Sequence, residues 1–233
     1  MKTLENADRR SFLRNLGIAG SALVAGKAIA HHAYTPPQTE GPFYPVQDQA
    51  DKDANMRRVE GGTRAALGEK IAIRGFVLDA ETHKPVVGAM VEFWQACASG
   101  RYDHPDDPND SPLDPNFQYW AQVYTSESGE FLIKTVKPGA YQASPEWKRP
   151  PHIHVKVHRS GYPTLTTQIY FSGDPLNETD RILRAVPAKQ RKLVIVNLNP
   201  SSDDESLGVW TVYFAKRRSF RDSALAIQTP ELE

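Results

Sequence analysis

The stretch His152-Ile153-His154-Val155-Lys156-Val157-His158 decides the fold. Its isoleucine and two valines alternate with polar residues, and this period of two predicts a β-strand. Successive side chains of a strand point to opposite faces, so the apolar stripe is expected to face a core. His152 and His154 then point together away from that core, toward a cavity covered by loops. His158 shares their face but is expected to lie nearer solvent.

Similar short segments lie on both sides of this strand. Alternating or β-branched patterns predict strands over residues 70–77, 89–95, 120–125, 131–136, 164–171, 192–197 and 209–215. Glu178 to Ala185 is the one convincing short helix. Many short strands separated by turn residues predict an all-β protein, an antiparallel β-sandwich core with long loops and one short helix.

The first thirty residues have the pattern of an export signal. Asp8-Arg9-Arg10-Ser11-Phe12-Leu13-Arg14 is a twin-arginine signature, an apolar run follows, and Ala28-Ile29-Ala30 fits a cleavage site. An amphipathic helix that happens to carry two arginines is the plainer interpretation. We favour export by the twin-arginine machinery to the periplasm, with the signal either cleaved after Ala30 or kept as an anchor.

The rest of the chain divides by composition. Residues 31–69, rich in proline, glycine and polar groups, are expected to form an extended arm; residues 70–215 form the sandwich domain, and residues 216–233 a tail. Twenty-eight basic and 28 acidic residues give a net charge of zero, which argues against a nucleic-acid partner. Cys97 is the only cysteine, so no intramolecular disulfide forms.

Two tyrosines precede the histidine pair, each just after a glycine-containing turn. They lie in Gly100-Arg101-Tyr102 and in Pro138-Gly139-Ala140-Tyr141, at strand ends where sites are commonly built. Two phenolates and two imidazoles together suit a trivalent metal, iron(III) above all. A phenol binds metal only when ionised, and a trivalent cation favours that ionisation. Spacing alone leaves open whether these four side chains meet, because most such tyrosines are core residues.

Three other interpretations compete with the iron hypothesis. A zinc hydrolase would use His152 and His154 with a carboxylate from the Asp-rich loop 103–115, although zinc seldom takes two tyrosines. An exported, non-catalytic binding module would carry the motif without the metal. A calcium site in the Asp-rich loop lacks the usual ligand spacing. The aromatic segment 39–45 is either a packed arm or part of the mouth of the site.

Six strings in order make the chain resemble the intradiol ring-cleaving dioxygenases, most of all the iron-bearing subunits of the branch that cleaves protocatechuate. The strings are Glu40-Gly41-Pro42-Phe43-Tyr44; Phe93-Trp94-Gln95-Ala96 with Gly100-Arg101-Tyr102-Asp103-His104; Leu113-Asp114-Pro115-Asn116-Phe117; Thr135-Val136-Lys137-Pro138-Gly139-Ala140-Tyr141; Arg149-Pro150-Pro151-His152-Ile153-His154; and Thr167-Gln168-Ile169-Tyr170-Phe171-Ser172-Gly173-Asp174-Pro175. One departure concerns residues 142 and 143, where close relatives usually carry Pro-Trp and this chain has Gln-Ala.

The resemblance implies a mononuclear, non-haem Fe(3+) site. We also expect the chain to form a homo-oligomer. Tyr102 and His152 would be equatorial ligands, and Tyr141 and His154 axial ligands. O2 and a catechol-type substrate would give a cis,cis-muconate-type dicarboxylic acid. Tyr141 would also accept a substrate proton, Arg149 would stabilise negative charge, and Gln168 would orient substrate or oxygen.

Overall fold

The computed structural model describes residues 33–49, 51–201 and 204–216. The predicted signal peptide and residues 217–233 of the predicted tail lie outside the described residues. Within the described ranges, no helix has the length and apolar character needed to cross a membrane. The described parts of segment 31–69 form no named helix or strand, and they run over the surface of the strands that follow.

Eleven strands and one short α-helix make up the regular structure of the described residues. In chain order they are β1 Lys70–Asp79, β2 Met90–Trp94, β3 Trp120–Tyr124, β4 Glu130–Val136, β5 Tyr141–Ser144, β6 Trp147–Arg149, β7 His152–His158, β8 Leu165–Phe171, α1 Arg181–Ala185, β9 Ile195–Val196, β10 Leu198–Pro200 and β11 Ser206–Phe214. The all-β prediction is confirmed, since helix within residues 33–216, as far as these are described, is confined to α1 and two short 3-10 turns.

Two sheets pack face to face around one apolar core. The four-stranded sheet has the order β10-β11-β1-β4, the five-stranded sheet has the order β3-β2-β7-β8-β9, and β5 and β6 form a separate hairpin. The isoleucine and two valines of β7 are fully buried in this core with Phe93, Ile133 and Val212. The apolar stripe of β7 therefore faces the sandwich interior, as its alternation predicts.

The prediction of an antiparallel β-sandwich is confirmed except for the direction of two strand pairs. β1 pairs with β11 in parallel, and β8 pairs with β9 in parallel. Alternating burial looks the same in either direction, so the sequence pattern carries no information on orientation. A long connection permits the parallel return from β8 to β9, and here it contains α1.

Two local assignments also differ from the sequence expectation. The helix begins at Arg181 and not at Glu178, because Asp180 caps it by accepting hydrogen bonds from the backbone N–H groups of Ile182 and Leu183. The hairpin of β5 and β6 was not foreseen. Its strands have four and three residues, too short to show a period.

Candidate active site

The outer face of the five-stranded sheet carries the predicted histidines. His154 lies between Trp94 of β2 and Gln168 of β8 in the strand register, and His152 pairs with Tyr170 of β8. Neighbouring side chains in one register row share a face, so these five residues form one polar and aromatic surface. Both histidines are only 2% exposed, whereas His158, at the far end of the same strand, is exposed.

Tyr102 and Tyr141 reach this surface from two turns that touch backbone to backbone. The Gly139 N–H donates to the Cys97 carbonyl at 3.0 Å. A Cβ on Gly139 would lie 2.4 Å from the Gly100 nitrogen, and one on Gly100 would lie 2.8 Å from the Ala140 carbonyl oxygen. Only glycine permits this approach. The contact brings the two tyrosine rings to a centroid distance of 5.6 Å.

The four predicted ligands form one buried cluster. Tyr102 Oη lies 3.2 Å from His152 Nε2. The ring centroid distances are 4.9 Å between the two histidines, 5.7 Å from Tyr141 to His152 and 6.1 Å from Tyr102 to His154. The structure therefore brings together two phenol oxygens and two imidazoles that are up to 52 positions apart in the sequence.

The nitrogen bonding of both histidines fits a ligand role. His152 Nδ1–H donates to the Pro150 carbonyl at 2.7 Å, so Nε2 carries the lone pair. That single lone pair faces two donors, the Tyr102 hydroxyl and Arg149 Nη1 at 2.9 Å. His154 Nδ1 is buried and has no hydrogen-bond partner among the described residues. The two donors that compete for one lone pair of His152 and the unsatisfied nitrogen of the neighbouring His154 are both consistent with a pair of imidazoles that binds a cation.

Burial controls the protonation of the cluster. Burial, with the neighbouring Tyr141, raises the pKa of Tyr102 well above its usual value, and burial also raises the pKa of Tyr141. The same burial, with the positive charge of Arg149, lowers the pKa values of His152 and His154 well below the usual range. Without a cation, both phenols stay protonated and both imidazoles stay neutral at neutral pH.

Arg149 is a buried cation held on three sides. Its Nε donates to Asp180 Oδ2 at 3.0 Å, its Nη2 donates to Gln168 Oε1 at 2.7 Å, and its Nη1 points to His152. Burial opposes its charge, but interactions with Tyr141, Tyr170 and Asp180 outweigh that penalty and raise the pKa of Arg149. The guanidinium therefore remains charged beside the cluster, with its orientation fixed.

Gln168 links the arginine to the N-terminal arm. Besides accepting from Arg149, its Oε1 lies 3.0 Å from the Tyr170 hydroxyl, and its Nε2 donates to the Thr39 carbonyl at 3.0 Å. Gln38 of the arm accepts from the same hydroxyl at 2.9 Å. In this structure both the amide oxygen and the amide nitrogen of Gln168 are hydrogen-bonded to protein groups.

The arm covers the cluster directly, so segment 39–45 is both a packed arm and a wall of the site. The Phe43 ring lies 4.8 Å from the Tyr102 ring and 6.2 Å from the Tyr141 ring. Gly41, at a positive φ of 73°, passes so close to His154 that a Cβ would lie 3.3 Å from Cε1. On the other side, Trp94 stacks on His154 with centroids 4.8 Å apart.

The Asp-rich loop supports the site without supplying ligands. Asp107 Oδ2 accepts from the Tyr102 backbone N–H at 2.7 Å and so fixes the turn that carries this tyrosine. Within the described residues, no three His, Cys, Asp or Glu side chains are grouped closely enough to hold a metal ion. The His152 and His154 pair therefore lacks the nearby carboxylate that the zinc interpretation needs.

Comparison with known proteins agrees with this geometry. The sequence model of the family described as Dioxygenase matches residues 39–214. A protocatechuate 3,4-dioxygenase beta chain from Burkholderia cepacia is 38% identical over 172 residues, which cover 72% of this chain and 73% of the relative. The catechol 1,2-dioxygenase of Acinetobacter baylyi is 31% identical over 159 residues, and there the match spans 63% of this chain but only 49% of the relative.

A solved structure gives the same result. The intradiol ring-cleavage dioxygenase from Tetranychus urticae has a TM-score of 0.62 and 26% identity, over 78% of this chain and 95% of that one. The chain therefore belongs to the intradiol ring-cleavage dioxygenases, a family of oxidoreductases.

Sequence reasoning gave no role to several residues that shape the site. Asp180, 0% exposed, and Asp107 anchor Arg149 and Tyr102, while Trp94 packs on His154. Phe43 and Tyr170 stood in the quoted strings, but nothing there assigned them a contact. The strand register could have indicated Trp94 and Tyr170, because both share rows with the histidines.

Proposed function

We propose that this protein is a non-haem iron(III) intradiol dioxygenase. Its substrate is a catechol-type aromatic, protocatechuate-like, which O2 converts to a cis,cis-muconate-type dicarboxylic acid. The observation that carries the proposal is the convergence of Tyr102, Tyr141, His152 and His154 in one buried cluster. Two phenol oxygens and two neutral imidazoles form a donor set that suits iron(III).

The cluster is built to change its protonation when a cation binds. Burial keeps the phenols of Tyr102 and Tyr141 protonated, but a trivalent charge between them reverses this preference. When bound, iron(III) supplies the Lewis acidity that activates a chelating catechol toward O2. The imidazoles need no deprotonation, because burial already keeps them neutral.

The chain's own groups then handle protons and charge. Tyr141 is the most exposed of the four predicted ligands, at 8%, which suits it to accept a substrate hydroxyl proton at its Oη. Arg149 Nη1, 2.9 Å from His152 Nε2, stabilises negative charge that develops on the bound ring. Asp180 and Gln168 hold that guanidinium in place, so little reorganisation accompanies the reaction. Phe43 and the arm exclude bulk water.

The first test is the visible absorption spectrum and iron content of the purified protein. A tyrosinate-to-iron(III) band that shifts on anaerobic addition of catechol or protocatechuate supports the proposal, followed by ring opening when O2 is admitted. A colourless protein that takes up no iron when iron is supplied would instead favour the non-catalytic binding module. Product analysis by mass spectrometry then checks that both oxygen atoms of O2 enter the product.

We also propose that the chain is exported by the twin-arginine machinery and acts in the periplasm as a homo-oligomer. The support is the sequence signature around Arg9 and Arg10 and the absence of any cysteine other than Cys97. Fractionation of cells that express the wild-type chain or the R9K/R10K variant tests export. Retention of both proteins in the same fraction contradicts it. Sedimentation of the purified protein gives the oligomeric state.

A further inference from the structure

A second cationic side chain, Arg181, lies near Arg149, and it has no role in the reaction proposed above. On β6, Trp147 precedes Arg149 by two residues, so both side chains leave the strand on the same face. The Arg149 guanidinium lies 5.5 Å from the centroid of the Trp147 ring. The guanidinium of Arg181, the first residue of α1, lies 5.3 Å from the centroid of that same ring.

The start of α1 therefore has two connections to the site. The buried Asp180 accepts a hydrogen bond from Arg149 Nε. The next residue, Arg181, lies over the ring of Trp147. Yet the two arginines differ in their partners. Arg149 is buried and paired with Asp180, whereas Arg181 is exposed and makes no ion pair among the described residues.

The indole between them has an unsatisfied donor. Trp147 Nε1 is buried without a hydrogen-bond partner among the residues that the structure describes. A buried N–H that has lost water and gained no acceptor is unfavourable, and an arriving acceptor relieves it. A guanidinium over the ring of an indole whose N–H is unpaired, with no acceptor for either group among the described residues, suits a carboxylate.

We propose that Arg181, with Trp147 Nε1, binds the carboxylate of an aromatic dihydroxy acid whose two hydroxyl groups lie at the four-ligand cluster. This inference rests on the proposed function and assigns its selectivity for acidic over neutral catechols. The guanidinium provides a planar two-point contact for a carboxylate, and stacking on the indole limits its motion. A neutral catechol leaves both groups unused.

The test compares protocatechuate with catechol on the iron-loaded full chain. For R181Q we expect the ratio of kcat/KM for protocatechuate to that for catechol to fall at least about tenfold. The reason is that the variant leaves the substrate carboxylate without its charged partner, whereas catechol has no carboxylate to pair. The loss appears in KM for protocatechuate. R181K keeps the positive charge but not the planar two-point contact, so its ratio should lie between those of the wild type and R181Q. W147F removes the indole N–H and keeps a smaller aromatic ring for the arginine to stack on, so it should lower the ratio less.

Arg184 is the matched control, because it is exposed on the same short helix. R184Q should keep the wild-type ratio. An unchanged ratio in R181Q, or an equal fall in R184Q, overturns the assignment, and so does a wild type that cleaves catechol but not protocatechuate. If the wild type cleaves neither, the proposed function itself has failed. If it cleaves both without any dependence on Arg181, only this assignment has failed.

Discussion

Over residues 152–155, β7 is buried on both faces, but the two faces are built from opposite kinds of side chain. On the inner face, Ile153 and Val155 pack in the apolar core of the sandwich. On the outer face, His152 and His154 lie among phenols, an indole and a guanidinium. The inner face is stabilised by removal of apolar surface from water. The outer face is buried only because the arm and loops cover it, and its polar groups depend on one another.

Because the two faces are buried by different means, a substitution on each face has a different consequence. A defect on the inner face leaves a cavity, which lowers the free energy of unfolding but leaves the chemistry of the outer face in place. A defect on the outer face leaves a polar or charged group without its partner and removes a function. Variants on the two faces should therefore separate stability from activity.

The largest effect is expected for a proposed metal ligand on the outer face. Tyr102→Phe removes one oxygen from the cluster and keeps the ring that packs on Phe43. Ring cleavage should fall at least about 100-fold, beyond the loss typical of groups that only support a metal ligand, and the visible band should weaken. Steady-state rates and absorption spectra measure both. Tyr124→Phe, at a tyrosine that is 64% exposed, is the control. Full activity in Tyr102→Phe contradicts the ligand assignment.

The next effect concerns the ion pair behind the cluster. Asp180→Asn keeps the capping oxygen of α1 but leaves Arg149 as a buried charge without its counter-ion. Loss of one partner of a buried pair costs about 3–5 kcal/mol in the free energy of unfolding, measured by urea denaturation. The double variant Arg149→Met/Asp180→Asn should recover part of that stability but no activity. Equal stability of the single and double variants would show that the charge is not the cause.

A somewhat smaller loss is expected on the inner face. Ile153→Ala removes a fully buried side chain between the sheets, and such truncations cost about 2–5 kcal/mol. The absorption band and the ring-cleavage rate below the unfolding transition should stay near those of the wild type. Urea denaturation and spectra on the same sample test this. A lost band in a protein that is still folded would mean that the two faces are not independent.

The smallest effect is a pH dependence of the metal-free protein. The pKa values of His152 and His154 are lowered by burial and by Arg149, so the folded state prefers the neutral rings. Their contribution to stability is complete above the unfolded pKa of about 6.5 and is lost as pH falls below it. Urea midpoints at a series of pH values should therefore decline on the acid side. In His154→Asn the decline should be shallower, while in the exposed-site control His158→Gln it should match wild type.

The sequence predicted the parts of this comparison that depend on local pattern. The alternation in residues 152–158 fixed which residues of β7 face the core, and the glycine turns before Tyr102 and Tyr141 indicated strand ends. Strand direction could not be read, because alternation is the same for parallel and antiparallel neighbours. The convergence of the four predicted ligands could be expected only from the resemblance, since Tyr102 and His152 are 50 positions apart.

Supporting contacts were beyond reach for a related reason. Asp180 binds Arg149 although the two residues are 31 positions apart in the sequence. In the sequence, Asp180 looks like an ordinary residue that caps the N-terminus of α1. Asp107 likewise looks like one of several loop aspartates until its contact with the Tyr102 N–H is seen. A local role, as a helix cap or a loop residue, is enough to explain why an aspartate stands at each position. The sequence therefore gives no sign that the same aspartate also supports the site.

The arm that covers the outer face has a consequence for the order of assembly. Gln38 leaves the ribosome early, but its partners Thr167, Gln168 and Tyr170 are made 129 to 132 residues later. Contacts of such long sequence separation form late, because a large loop must close first. The arm can therefore cover the histidine face only after β8 has been made. We expect a metal ion to reach the proposed site more readily before the arm has closed over it.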